Sequence, residues 1–268
     1  MRDVGKKNVL GVLVDAVDRE AAVARIIEAA RDGRPYATTA LAVHGVMTGV
    51  EDPVHRYRLN HFDLVTPDGQ PVRWALNWLH GVGLVENVHG SGLTTEICRA
   101  AAELGLPIYL YGSQREVLDR LEVYLRERFP GLVIAGAEPS KFRRTTSDEK
   151  KVTAQRIRAS GAAIAFVGLG CPRQEVFAFE YRDALKMPVI AVGAAFDYLA
   201  GFLRQPHPLV RRLGFEWLHR LLQEPGRLWK RYTLTNAQYV FGLAVQLMGL
   251  AHPDPYAAEA PITEILYG

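Results

Sequence analysis

Short apolar runs alternate with longer amphipathic stretches from the N-terminus to about residue 200. The short runs have the length and β-branched composition of strands, and the longer stretches repeat their apolar positions at helical spacing. Such alternation is typical of an α/β fold with a largely parallel sheet covered by helices on both faces. Strands are predicted near 8–14, 36–40, 62–66, 107–111, 132–136, 162–168 and 188–194.

Three helix starts are marked by capping residues. Asp18 precedes a helix predicted over roughly 19–31, because an aspartate at this place accepts a hydrogen bond from a free backbone amide. Ser113 with Glu116, and Thr146 with Glu149, have the capping-box spacing.

The alternation stops after Gly201. A strongly amphipathic helix is predicted over 209–224, Pro225 interrupts it, and a second helical stretch follows over about 227–250. The last residues contain three prolines and are predicted to be loosely held. The predicted organisation is an α/β core over 1–200, a helical appendage over 201–250 and a tail over 251–268.

Composition places the chain among ordinary folded proteins, since 49% of its 268 residues are hydrophobic and 23% are charged. Its two cysteines, Cys98 and Cys171, supply no disulfide framework, and no Cys/His cluster has zinc spacing. These features fit a reducing compartment. The longest apolar stretch, 239–250, is well short of the ~20 residues that cross a bilayer, so no membrane span is predicted.

Positive charge is concentrated in one segment. The net charge is only +3, but residues 201–232 carry seven basic and two acidic side chains. This surplus beside a wide apolar face favours a membrane interface or an acidic ligand site, with a solvated helix face as the alternative. Nucleic acid is not a predicted partner, because binding a phosphate backbone does not require the apolar face.

Asp68 stands in a Pro-Asp-Gly turn that follows a predicted strand and opens a helix. Ligands of open α/β sheets collect at the carboxyl ends of strands, so Asp68 is a candidate general base. The alternative interpretation is that Pro-Asp-Gly is simply favourable turn chemistry.

A glycine-rich loop, Gly168-Leu-Gly-Cys-Pro-Arg-Gln-Glu175, connects a predicted strand to a predicted helix. Its glycines allow a ligand to approach the backbone, and the free amides of the helix start favour phosphate. The loop lacks the third glycine of a dinucleotide fingerprint, and the chain has no Walker A motif. Cys171 has no histidine nearby in sequence to activate it, which favours a small residue in a tight turn over a nucleophile.

A run of small residues, 192–195, closes the last predicted strand and is followed by Asp197. The run fits either close packing of a helix on the sheet or the wall of a ligand site. The sequence has no Asp-X-Asp motif, so no divalent metal is predicted at a diphosphate. Arginines are then expected to hold the charge of any diphosphate.

Taken in order, these motifs resemble the WecG/TagA/CpsF family of bacterial glycosyltransferases. The resemblance extends over most of the chain. It rests on Thr66-Pro-Asp-Gly-Gln-Pro-Val-Arg-Trp74, Gly90-Ser-Gly-Leu93, Val167-Gly-Leu-Gly-Cys-Pro-Arg-Gln-Glu175, Val192-Gly-Ala-Ala-Phe-Asp197 and the long C-terminal signature 214–232.

The resemblance implies a Rossmann-like, doubly wound fold and an inverting transfer of a hexose or N-acetylhexosamine. The implied donor is a UDP-sugar, and the implied acceptor is a sugar on a polyprenyl diphosphate at the cytoplasmic face of the membrane. No cofactor and no metal are implied. The matched positions make Asp68 the general base and place at the substrates Thr39, Gly168, Gly170, Gln174, Glu175, Asp197, Arg220, Arg227 and Arg231.

The resemblance also implies a cytoplasmic protein bound peripherally to the inner face of the membrane and able to self-associate. Its products would feed teichoic acid, common antigen or exopolysaccharide synthesis. Three positions depart from the family pattern, namely Leu41, Asn87 and Gly92. Asn87 replaces an arginine, and His89 and Arg73 are the candidates to replace that anion contact.

Other functions stay open at this point. A nucleotide-sugar epimerase or dehydrogenase would use a similar fold, although the missing glycine fingerprint argues against a bound dinucleotide. A peripheral membrane protein that binds nucleotide sugar without turnover would share the same features, as would a transferase of this family with a different acceptor.

Overall fold

The computed structural model describes residues 1–207, 209–210 and 213–268, with the side chains of Arg227, Lys230 and Arg231 left undescribed. Its elements in chain order are β1 Asp3–Val9, β2 Val12–Val17, α1 Arg19–Arg31, β3 Tyr36–Leu41, α2 Val43–Glu51, α3 Pro53–Asn60, β4 Leu64–Pro67, α4 Gln70–His80, α5 Gly90–Leu104, β5 Ile108–Gly112, α6 Arg115–Arg128, β6 Ile134–Glu138, α7 Ser147–Ala159, β7 Ile164–Gly168, α8 Arg173–Leu185, β8 Pro188–Ala191, α9 Ala195–Leu199, α10 Glu216–Gln223, α11 Pro225–Lys230, a π-helical turn Arg231–Thr235 and α12 Asn236–Leu247.

The central sheet is parallel throughout. Among the described residues it has six strands in the order β4-β3-β8-β7-β5-β6. Thr38 of β3 lies between Leu64 of β4 and Ile190 of β8, so the strand ends align at one edge. The predicted α/β fold with a Rossmann-like, doubly wound sheet is confirmed.

Strand β7 shows how the sheet separates two cores. Ile164 and Phe166 pack into a cluster with helices α1, α5, α6 and α9. Ala165 and Val167 point to the opposite face and pack with α2, α4, α8 and α12. Because successive side chains of a strand alternate between faces, a strand buried on both sides is apolar at every position.

The first predicted strand, 8–14, is wrong, because this run is a hairpin. Strands β1 and β2 pair antiparallel and form a separate sheet. The turn residues Leu10 and Gly11 have φ values of 55° and 88°, which a tight two-residue hairpin requires. The Asn8 side chain accepts the amide of Gly11 at 2.7 Å. Because the turn residue Leu10 is apolar, the hydrophobic pattern reads as one continuous strand and does not reveal the turn.

Asp15 of β2 attaches the hairpin to the rest of the fold. Its buried carboxylate accepts a hydrogen bond from the Val65 amide at 2.8 Å and forms an ion pair with Arg25 at 2.9 Å. Arg25 also donates to the Tyr36 hydroxyl and to the Asp63 carbonyl. Burial raises the pKa of Asp15, and the hydrogen bonds from Val65 and Arg25 oppose that shift.

Two of the three predicted helix starts are confirmed. The Asp18 carboxylate accepts the Ala21 amide at 2.9 Å, and Thr146 forms a reciprocal capping box with Glu149. The third is wrong. Helix α6 begins at Arg115, and Ser113 has a φ of 57° with its amide donating to the Gly168 carbonyl at 2.9 Å. This contact with β7 fixes Ser113 in a turn.

The single helix predicted over 209–224 is interrupted at Gly214, whose φ is 78°. A side chain at Gly214 would begin 2.6 Å from the Trp74 ring, which leaves room only for glycine. The segment therefore folds back on α4 before α10 begins. Helix α12 adds Tyr239 and Leu243 to the core, and the Tyr239 hydroxyl donates to the Pro71 carbonyl at 3.1 Å.

The final segment, 251–268, runs along the core. The amides of Ile265 and Leu266 donate to the Glu180 carboxylate at 2.8 and 2.9 Å, and the Leu266 side chain is buried. The Asn60 side-chain amide donates a hydrogen bond to the Pro255 carbonyl at 2.7 Å. These bonds are between groups far apart in sequence, which the local pattern does not predict.

Within the described part of the chain, none of the helices has both the length and the apolar character needed to traverse a bilayer.

Removal of the Asp15 carboxylate tests the hairpin attachment. Asp15→Ala is expected to lower the free energy of unfolding by about 3 kcal/mol, because it leaves Arg25 and the Val65 amide without their partner. The measurement is urea denaturation. Lys151→Ala, which removes an exposed pair with Asp148, is the control and should change stability by about 0.5 kcal/mol or less. Equal effects of the two substitutions would contradict this account.

Candidate active site

A cleft of about 1250 Å³ lies at the carboxyl edge of the parallel sheet. Its floor consists of the loops after β3, β4, β7 and β8 and the first turn of α5. The segment after Gly201, including α10 and α12, forms the facing wall. This is where open α/β sheets bind their ligands, because the strand ends leave backbone groups and loops exposed there.

Asp68 lies at this edge directly after β4. Its amide donates to the Leu41 carbonyl at 3.1 Å, which fixes the turn against the end of β3. Gly69 follows with a φ of 82° and precedes α4. The Asp68 side chain is half-buried and lines the cleft. Asp68 therefore forms a favourable turn and also lines the cleft, so the two interpretations of the Pro-Asp-Gly sequence do not exclude each other.

Arg220 of α10 enters the same site from the opposite wall. Its guanidinium carbon is 6.0 Å from the centre of the Tyr198 ring, and its Nε is 3.7 Å from a Glu224 carboxylate oxygen. Burial raises the pKa of Tyr198, the charge of Asp68 adds to the shift and that of Arg220 opposes it. The charges of Asp68 and Arg220 therefore act on the pKa of Tyr198 in opposite directions.

The loop after β7 is packed tightly at one end and open at the other. A Cβ at Gly168 would lie 2.6 Å from the Phe196 ring, so the strand end admits only glycine. Gly170 has a φ of 75° and open space beside it. Both residues line the cleft, and a cis peptide bond joins Cys171 to Pro172 before α8.

Thr39, Gln174 and Glu175 form a polar bridge at the cleft floor, and the last two of them line the cleft. The Thr39 hydroxyl and the Gln174 side-chain amide donate to Glu175 Oε1 at 3.1 and 2.8 Å. The Gln174 oxygen accepts the Gly193 amide at 3.0 Å. Thr39 and Glu175 are almost fully buried, and burial raises the pKa of Glu175 against the hydrogen bonds from Gln174 and Thr39. The bridge ties the ends of β3 and β8 to α8.

The remaining predicted site residues fall in two groups. Asp197 in α9 is half-buried and lines the cleft beside Tyr198. The side chains of Arg227 and Arg231 lie outside the described residues, so their roles stay predictions from the sequence.

The position where the family pattern has arginine is occupied by a buried amide. Asn87 accepts a hydrogen bond from Gln70 at 3.2 Å. Arg73 donates to Gln70 and to the Leu84 carbonyl, each at 2.7 Å, which turns it toward the backbone outside the cleft lining. His89 does line the cleft and caps α5 by accepting the Gly92 amide at 3.0 Å. Of the two candidate replacements, His89 lies at the site.

An aromatic and aliphatic wall was missed by sequence reasoning. Trp74 and Trp78 stack on α4 with ring centres 6.0 Å apart, at the i, i+4 spacing that puts them on one helix face. The four-residue spacing of the two tryptophans is the sequence signal that could have predicted this aromatic face. The same wall contains Leu213, Trp217, Tyr239, Val240, Leu243 and Leu247.

His55, Cys171 and Glu175 could hold a metal ion. Among the described residues they form the one group of three or more such side chains whose ligand atoms lie within 4.8 Å of one another. Burial and the nearby charge of Arg58 lower the pKa of His55 to about 4, so its imidazole is neutral at pH 7.

The comparison with known families settles what kind of protein has this cleft. Residues 7–253 match the family described as the glycosyl transferase WecG/TagA/CpsF family. The chain belongs to this family. The resemblance seen in the sequence motifs is confirmed, and the cleft at the sheet edge is the candidate active site of a WecG/TagA/CpsF glycosyltransferase. The matched region includes the parallel sheet and helices α10 to α12.

Proposed function

We propose that this glycosyltransferase moves a hexose or N-acetylhexosamine, with inversion, from a UDP-sugar to a sugar carried on a polyprenyl diphosphate. The reaction takes place at the cytoplasmic face of the membrane and serves synthesis of a surface polysaccharide. The observation that carries the proposal is that Asp68 and Arg220 line the same cleft, with the Arg220 guanidinium 6.0 Å from the centre of the Tyr198 ring. A base and an anion-binding cation are the two groups that sugar transfer from a nucleotide diphosphate requires.

The size of the cleft supports two substrates. Ligand pockets of drug-sized molecules occupy ~300–1000 Å³, and this cleft measures about 1250 Å³. The loop Gly168–Gly170 and the start of α8 offer backbone amides to the nucleotide phosphates. The Trp74 and Trp78 wall offers aromatic faces and apolar surface to a sugar that arrives on a lipid.

Asp68 acts as the general base in this proposal. It accepts the proton of the acceptor hydroxyl while that oxygen attacks the anomeric carbon of the donor. The bond from the anomeric carbon to the UDP oxygen breaks on the opposite face, which inverts the configuration. Its half-buried position allows contact with the acceptor while keeping the carboxylate partly solvated.

The departing diphosphate is held by arginine in this proposal, without a metal ion. Arg220 presents forked donors that suit phosphate oxygens, and the sequence match adds Arg227 and Arg231.

The C-terminal helices are proposed to lie at the membrane surface. Leu218 and Leu222, one turn apart on α10, are 39% and 74% exposed, and Phe241 on α12 is 73% exposed. Apolar side chains of this size beside basic residues bind the interface of an anionic bilayer. This position would bring a lipid-linked sugar to the mouth of the cleft. A contact with a second copy of the chain is the competing use of this surface.

Replacement of the proposed base tests the chemistry. Asp68→Asn preserves the shape of the side chain and is expected to lower turnover by ~10²–10⁴-fold, the usual contribution of a positioned base. UDP release from a panel of UDP-sugars with polyprenyl-diphosphate-linked acceptors is the readout. Asp197→Asn is the matched carboxylate control and should lose less. Turnover of Asp68→Asn within a few-fold of wild type, with UDP binding intact, would exclude Asp68 as the base.

Two measurements test how the diphosphate is held. Arg220→Ala is expected to lower turnover by roughly 10²–10³-fold, the cost of removing one charge-stabilising donor. The control is Arg126→Ala, which removes an exposed arginine of α6 and should have no effect. Addition of EDTA during the assay should leave the wild-type rate unchanged. Loss of the rate in EDTA and its return with magnesium or manganese would show that a cation does this work.

Paired leucine substitutions test the membrane contact. Leu218→Ser with Leu222→Ser should weaken sedimentation with anionic vesicles by about tenfold or more, because burial of each leucine contributes ~1.5–3 kcal/mol. Turnover should fall with acceptor embedded in vesicles and persist with a short-chain, water-soluble acceptor. Val152→Ser, an exposed apolar residue on α7, is the control. Unchanged vesicle binding together with a smaller oligomer would assign this surface to self-association.

A further inference from the structure

Three side chains from separate parts of the chain converge at the cleft floor. His55 comes from α3, Cys171 from the loop after β7 and Glu175 from α8. One ligand atom from each lies within 4.8 Å of the other two. His55 is 2% exposed and Glu175 is 1% exposed, while Cys171 is half-buried and reaches the cleft.

Two polar atoms in this cluster are left unsatisfied. Within the described residues, neither His55 Nε2 nor Glu175 Oε2 has a hydrogen-bond partner, although both are buried. An unpartnered buried polar atom destabilises the folded state, and folded proteins contain few of them. Both atoms can act as metal ligands, so a cation bound by the two would satisfy them together.

The carboxylate is already oriented for this purpose. Its Oε1 is held by the Thr39 hydroxyl and the Gln174 amide, and the Cys171 side chain also hydrogen-bonds to the carboxylate. Metal sites commonly fix their ligands through such outer hydrogen bonds. The Gln174 contact extends to the Gly193 amide, so the orientation is set by two strand ends.

We propose that His55, Cys171 and Glu175 bind a divalent transition metal, with Zn²⁺ as the best-suited ion. Imidazole nitrogen, thiolate sulfur and carboxylate oxygen are the ligands that zinc takes in proteins, whereas magnesium and calcium prefer oxygen alone. Ligand atoms around tetrahedral zinc lie ~3.3–3.8 Å apart, so the present limit of 4.8 Å requires only a small contraction. Binding converts the Cys171 thiol to a thiolate and releases its proton to solvent.

A metal here would tie α3 to the glycine-rich loop and to α8. Cys171 and Glu175 line the cleft and His55 does not, so the ion would lie at the cleft floor. A buried ion held by three side chains exchanges slowly, which is compatible with a rate that brief exposure to EDTA does not change. The inference stands independently of the proposed transferase reaction, since its test measures metal binding alone.

Cobalt titration tests the site directly. Tag-free, full-length protein is stripped with a chelator, dialysed and titrated with Co²⁺, which replaces zinc and reports thiolate coordination by a near-ultraviolet charge-transfer band. We expect one equivalent of Co²⁺ to give this band and Zn²⁺ to displace it. Cys171→Ser should abolish the band and His55→Gln should weaken binding. Cys98→Ser, which changes the buried cysteine of α5, should keep both.

The outer hydrogen bond supplies a finer test. Thr39→Val removes a donor to Glu175 and should weaken metal affinity by ~10–100-fold without removing a ligand. Absence of stoichiometric Co²⁺ binding to the wild-type protein would overturn the proposal, as would a charge-transfer band that survives Cys171→Ser. If Cys171→Ser fails to fold, as judged by circular dichroism, the wild-type titration and Cys98→Ser still decide the question.

Discussion

The parallel alignment of the central strands is the constraint on which the site depends. Because β3, β4, β7 and β8 run in the same direction, their carboxyl ends meet at one edge, and the residues that follow them share one cleft. Asp68 follows β4 and the Gly168–Gly170 loop follows β7. No local interaction joins these segments. Their proximity comes from the backbone hydrogen bonds of strands that are far apart in sequence.

Parallel strands leave polar backbone groups at their ends, and a buried side-chain bridge satisfies part of this need. The Glu175 carboxylate accepts a hydrogen bond from the Thr39 hydroxyl of β3. The side-chain oxygen of Gln174 accepts one from the backbone amide of Gly193, which follows β8. A buried carboxylate is costly unless it accepts several hydrogen bonds. Thr39 and Gln174, which the sequence predicts to lie at the substrates, therefore also maintain the shape of the cleft floor, and substitutions at either residue are expected to act through that floor.

The C-terminal helices complete the site. Gly214 turns the chain back onto α4, and α12 buries Tyr239 and Leu243 in the core. These contacts bring Arg220 to Tyr198 in the cleft that Asp68 also lines. The appendage is therefore a structural wall of the cleft as well as a carrier of exposed leucines. Membership of the WecG/TagA/CpsF family, which the match over 7–253 establishes, includes this C-terminal part.

The sequence by itself determined the alternating α/β fold, the strands of the parallel sheet, the caps at Asp18 and Thr146, and the family, because each depends on local periodicity, local hydrogen bonding or motif order. Tertiary structure alone decided the hairpin turn at Leu10, the break at Gly214 and the positions of Arg73 and His89, since each depends on a partner distant in sequence. The convergence of His55, Cys171 and Glu175 is of the same kind. Spacing along the chain reveals ligands only when they share one loop or helix, and these three are brought together by packing of α3 and α8 beneath the sheet edge.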